Sequence, residues 1–139
     1  MMVVMDASVL ISILISASGS KRKLLFSSKW DVIFPGRLLL EVGKHWKEIR
    51  DKSELSDEDL ESSFSLIRKQ VNVIPLDEYR SNLPGAKDVC PHMKDVEYFA
   101  LALKLNCPIW SEDKLIREQH NAKVLNTREL LELPGLIDA

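Results

Sequence analysis

At 139 residues and 15.8 kDa the chain is long enough to bury a core without disulfides or structural zinc, and short enough to be read as one domain over residues 1–139. Hydrophobic residues make up 45% and charged residues 29% of it, which excludes a disordered or low-complexity protein. A formal net charge of -2 excludes binding of nucleic acid by bulk positive charge, so any such contact has to be local or carried by bound cations.

Val3, Val4 and Met5 read as a short apolar strand that ends at Asp6, and Ala7 to Ile15 has the length and composition of a buried helix. The run Val9–Ile15 followed by Ser16-Ala17-Ser18-Gly19 superficially resembles an exported leader. No Lys or Arg precedes it, Asp6 interrupts it, and Lys21-Arg22-Lys23 lies on the wrong side, so no leader is expected. It is also too short to span a bilayer. Cys90 and Cys107 are too few for a disulfide framework, and with His92 they lack a full zinc ligand set. The expectation is a cytoplasmic protein without membrane contact.

A second helix is expected near Ser20 to Phe26, then a strand at Asp31–Phe34 closed by Pro35-Gly36. From Arg37 to about Asp51 the spacing of Leu39, Val42, Trp46 and Ile49 predicts one helix with those residues inside and Glu41 off the stripe. Ser56 with Asp57, Glu58 and Asp59 behind it opens a helix to about Gln70, and Val71–Pro75 is a strand. Asp77 to Lys94 is polar and broken by prolines, so one short helix and a loop are expected there. Asp95 to Leu105 is a helix with Val96, Phe99, Ala100 and Leu103 on one face, followed by the strand Pro108-Ile109-Trp110. A helix from Lys114 to Gln119, a strand at Lys123–Leu125 and a last helix capped by Asn126 or Thr127 complete the chain.

Strands alternating with helices predict a parallel sheet covered on both faces, with ligands bound beyond the carboxyl ends of the strands. Asp6 and Asp113 each follow an apolar strand closely, and Asp95 opens a helix. Singly, each has an ordinary use as a helix cap, and Glu41 an ordinary use as a solvated surface acid. Together the balance changes, because two carboxylates about 5 Å apart repel by roughly 3 kcal/mol at an effective dielectric near 20. Protonation or a bound cation relieves that, and an all-oxygen donor set suits Mg²⁺ or Mn²⁺ rather than zinc. Such a site suits phosphodiester hydrolysis and needs no side-chain nucleophile. His45, His92 and His120 are scattered and read as surface or loop residues. Glu97 and Glu112 read as surface neighbours of the acids.

The segment Val3-Val4-Met5-Asp6-Ala7-Ser8-Val9-Leu10-Ile11 resembles the opening strand of the PIN domains, a family of metal-dependent nucleases. The run Leu39-Leu40-Glu41-Val42-Gly43-Lys44-His45 is similar to that family's second motif. Asp95–Leu103, continuing through Asn106-Cys107-Pro108-Ile109 into Trp110-Ser111-Glu112-Asp113-Lys114, resembles its third acid, its alanine-rich helix and its final Ser-x-Asp. The resemblance spans nearly the whole chain, and the tryptophan before Ser111 is similar to a mainly prokaryotic branch. It implies a three-layer α/β/α sandwich around a parallel sheet of about five strands. It also implies metal ligation and catalysis by Asp6, Glu41, Asp95 and Asp113 with Mg²⁺ or Mn²⁺, support from Ser8 and Ser111, and an endoribonuclease acting on RNA. Many relatives are homodimers, many are the toxin of a toxin and antitoxin pair, and some are catalytically silent scaffolds.

Candidate phosphate contacts are Lys21, Arg22 and Lys23, and Lys44 with Lys47, each patch having the alternative of a plain solvated helix face. A phosphatase with Asp6 as nucleophile would want a second Asp two positions on, where Ser8 stands.

Overall fold

The computed structural model describes residues 1–16, 19–119 and 122–133; Ala17, Ser18 and His120 lie outside them. Among the described residues five strands form one parallel sheet in the order β3-β2-β1-β4-β5, with β1 at Met2–Met5, β2 at Asp31–Pro35, β3 at Asn72–Ile74, β4 at Ile109–Trp110 and β5 at Val124–Leu125. The register sets Val3 beside Val32 and Met5 beside Trp110. Val3, Val4, Met5, Ile109 and Trp110 have no exposure at all, as expected of central parallel strands covered on both faces.

The helix α1 (Ala7–Ile15) packs against α2 (Ser20–Leu25), α3 (Arg37–Lys44), α4 (Trp46–Lys52) and α5 (Asp57–Gln70). The helix α7 (Val96–Leu105) lies across β1, β2 and β4 and against α6 (Leu83–Val89). Two short helices, α8 (Lys114–Glu118) and α9 (Thr127–Glu132), cover β5. The result is the expected α/β/α sandwich. Asn126, not Thr127, caps α9, in a capping box with Glu129.

Two expectations differ from the structure. The helix predicted from Arg37 to about Asp51 is two helices broken at His45, whose backbone leaves the helical region. Gly43 weakens the helix just ahead of the break, and the turn lets Trp46 reach Phe64 on α5, ring centroids 5.4 Å apart. The buried positions are accordingly Leu38, Val42 and Ile49, while Leu39 and Trp46 are partly covered. The polar stretch Asp77–Lys94 carries the one short helix expected there, α6, with Pro84 in its first turn where a missing N–H costs nothing, and 3-10 turns at Leu76–Glu78, Arg80–Asn82 and Met93–Asp95 lie in it and across its ends. Within that stretch Tyr79 is fully buried. No helix among the described residues is long and apolar enough to cross a membrane.

Candidate active site

From β1 the chain steps to β2 and β3 on one side and returns to β4 and β5 on the other, so the connections diverge between β1 and β4. Such a divergence opens a crevice at the carboxyl edge of the sheet, the usual ligand position in open α/β folds. Asp6 follows β1, Ser111 and Asp113 follow β4, and Glu41 lies on α3 directly after β2. The central strands therefore deliver three acids to one edge, and Asp95 arrives from the start of α7, which crosses the same strands.

Asp6 is 3% exposed. Its Oδ1 accepts from the Ser8 hydroxyl at 2.8 Å and from the Val9 amide at 3.0 Å, so it caps α1 as well as facing the crevice. Burial pushes its pKa above the ordinary carboxylate value, against hydrogen bonds from Ser111, Ser8 and the Val9 amide, and Asp113 adds repulsion. Ser111 is fully buried, and its hydroxyl also accepts from the Asp113 amide at 3.0 Å, tying the two strand ends together. Asp113 caps α8 through the Leu115 amide at 2.9 Å.

Asp95 behaves differently. It stands at the N-cap position of α7 yet makes no side-chain capping bond, and its buried Oδ2 has no partner. Burial raises its pKa, and Asp6 and Asp113 raise it further against the pull of Lys94 and His92. Glu41 is also raised, first by burial and then by Asp95, with Arg37 and Lys94 opposing. All four acids thus share one electrostatic neighbourhood, although among the described residues no three acidic, His or Cys side chains already form a metal cage. The donor set still fits a hard divalent cation: it is all oxygen, self-repelling, and includes an orphaned buried oxygen that protein groups leave unsatisfied.

Glu112 is the exposed neighbour expected and Glu97 is partly buried, and hydrogen bonds tether both. The Glu97 carboxylate accepts from Tyr79 Oη at 2.6 Å and faces Arg37 Nη1 at 3.5 Å. Glu112 accepts from the Thr127 amide at 2.9 Å and hydroxyl at 2.6 Å, and Trp110 Nε1 donates to the same hydroxyl at 2.9 Å. These bonds hold Glu112 to the start of α9 and lower its pKa against burial.

Of the proposed phosphate contacts, Arg22 is withdrawn. Its guanidinium donates to Ser63 Oγ at 2.8 Å, Ile13 O at 2.8 Å and Ser16 O at 3.3 Å, binding α2 to α1 and α5. Lys23, Lys44 and Lys47 are exposed, and Lys21 lies in the field of Glu112. His45 is an exposed neighbour of Glu48, and His92 is exposed beside the crevice. Arg37, Lys94 and Tyr98 also lie beside the acids and are not among the residues expected there. The first two had a signal, Arg37 standing four residues before Glu41 on one helix face and Lys94 directly before Asp95. Tyr98 had none beyond its place in an apolar helix.

Fold and site together define an α/β/α protein with clustered acids at the carboxyl edge of its central strands. The chain belongs to the PIN-domain family, whose model matches residues 4–132. Its structure is similar to the crystal structure of VapBC2 from Rickettsia felis bound to a DNA fragment from their promoter, with a TM-score of 0.63 and 14% sequence identity over 91% of this chain and 98% of that one. That likeness speaks for the PIN-like fold alone. No curated protein matches the sequence significantly.

Proposed function

We propose that this protein is a metal-dependent nuclease, and specifically an endoribonuclease of the PIN type using Mg²⁺ or Mn²⁺. The observation that carries the reading is the acid neighbourhood of buried Asp6 and Asp95 and partly exposed Glu41 and Asp113, in which Asp95 keeps an oxygen without a partner among the described residues, at the divergence of the sheet. The fold does not otherwise use that oxygen, and a folded chain retains an unmet buried acceptor where a ligand meets it.

These four carboxylates would hold the cation, which when bound polarises the phosphodiester and supplies an activated water. Ser8 and Ser111 fix Asp6 through hydroxyl hydrogen bonds, and Ser111 also anchors the backbone of Asp113. Arg37 and Lys94 place positive charge beside the acids, suited to the flanking phosphates, with Lys21, Lys23, Lys44 and Lys47 as outer contacts. In the cell we read it as a cytoplasmic homodimer and as the toxin half of a toxin and antitoxin pair, a role in which the structural relative's partnered complex is the supporting parallel.

The test is cleavage of a labelled single-stranded RNA mixture with Mn²⁺ or Mg²⁺, with EDTA, and with an identically purified Asp6→Asn variant. Metal-dependent cutting that the substitution abolishes is expected. Cutting that survives Asp6→Asn contradicts the site, and a protein that neither cuts nor binds Mn²⁺ is a silent scaffold, the reading that the open arrangement of the acids would then favour.

A further inference from the structure

Among the described residues, two buried polar atoms beside the crevice lack hydrogen-bond partners, Oδ2 of Asp95 and Oη of Tyr98. Tyr98 is 2% exposed and lies three residues beyond Asp95, so both side chains leave the same face of α7. The Tyr98 hydroxyl stands next to the Ala7 amide at the first turn of α1, in the field of Glu41, Asp6 and Asp95. That amide is near enough to act on the phenol but is not in hydrogen-bond geometry with it. The phenolic proton is what lacks an acceptor, and burial among these charges keeps it in place by pushing the phenol far above its ordinary range. Phenylalanine would fill the same space without an unmet donor, so the hydroxyl calls for an acceptor in another state of the site.

Glu41 is the charge that acts on the hydroxyl most strongly. Here it is turned toward Arg37 on its own helix, Nε to Oε1 3.6 Å, a long pair between half-exposed groups. Arg37 has a second carboxylate in Glu97, itself fixed by Tyr79, so it can release Glu41 without losing its place. We propose that Tyr98 is the positioning residue for Glu41: as the acids close on a divalent cation, Glu41 leaves Arg37 and accepts a hydrogen bond from the Tyr98 hydroxyl, which fixes its carboxylate toward the cation. The inference rests on the metal-site reading above. It also gives Arg37 a role, since the released guanidinium keeps its Glu97 anchor and offers its exposed side to a phosphate.

Calorimetric titration of the full chain with Mn²⁺ tests this in wild type, Tyr98→Phe, Glu41→Ala and the double variant. Tyr98→Phe should weaken Mn²⁺ binding about tenfold, the scale of a hydrogen bond to a charged group, with a metal-free Tm equal to or above wild type. In the Glu41→Ala background the same substitution should change affinity less than about twofold, because the partner is gone. Equal Mn²⁺ affinity in wild type and Tyr98→Phe, independent penalties in the double variant, or a metal-free Tyr98→Phe protein melting several degrees lower would each overturn the proposal. Wild type that binds no Mn²⁺ overturns the metal-site reading itself, a failure visible before any variant is compared.

Discussion

Asp95 and Asp6 are both buried acids, but the structure uses them differently, and the difference can be measured. Asp6 is engaged by Ser8 and Val9, whereas Asp95 caps nothing and bears an orphaned oxygen. Asp95→Asn should therefore leave the metal-free protein as stable as wild type or raise its Tm by about 3 °C at pH 7, while abolishing the Mn²⁺-induced rise. The sign with pH follows from the raised pKa. A carboxyl whose folded-state pKa lies above its unfolded value contributes stability that is present below the unfolded pKa and lost as pH rises through the folded one. The advantage of Asp95→Asn should thus shrink as metal-free melting curves move from pH 7 toward the ordinary carboxylate range. Glu112→Gln offers the contrast at a neighbouring position: it disturbs the bonds to Thr127 and lowers Tm, yet Mn²⁺ binding should persist, which Asp113→Asn should not allow. Arg37 is tested by salt. Arg37→Ala should reduce the slope of log K against log salt for single-stranded RNA by about 0.7, the contribution of one phosphate contact.

At the scale of elements, Arg22 shows how a residue that looks like a ligand contact in sequence can be a tie between helices. Three residues in a basic run suggest a phosphate surface, but α2 packs so that one of them points back at the carbonyl end of α1 and at Ser63 of α5. Arg22→Met should cost about 2 kcal/mol in urea unfolding, the scale of lost hydrogen bonds to a charged group, and leave the salt slope of RNA binding unchanged. The break at His45 has a related cause. Periodicity across Leu39, Val42, Trp46 and Ile49 is consistent with one helix, and it is the fit of Trp46 against Phe64, far along the chain, that favours two. Likewise Tyr79 sits in a stretch whose local composition is that of a loop, yet it is fully buried with its hydroxyl donating to Glu97 of α7, a partner distant in the chain.

For the whole molecule, the excess of acid over base and the acid cluster at one sheet edge point the same way. On the proposed nuclease reading, a chain with a net charge of -2 that gathers carboxylates where a polyanion binds would need a cation to do so. Mn²⁺ at about a hundredfold above its Kd should raise Tm by roughly 9 °C, from about 2.7 kcal/mol of linkage and the unfolding entropy typical of this length. A chromogenic phosphomonoester should not be turned over, which separates this site from a phosphatase.

The alternation of apolar strands and helices is written in the residue pattern, and with it the parallel sheet and the edge to which the acids are delivered. Asp6, Ser111 and Asp113 were legible because they follow strands within a few residues, where backbone direction alone fixes their edge. Glu41 and Asp95 were legible through motif and helix position. Packing of the helices on the sheet settles which acids keep an unmet oxygen and which are tied down. Glu97 and Glu112 are held by Tyr79 and Thr127, Arg22 is turned inward, and Asp95 and Tyr98 are left with unmet atoms. The physical reason is that availability depends on hydrogen-bond partners distant in the chain, and those partners are set by how the helices pack on the sheet rather than by local pattern.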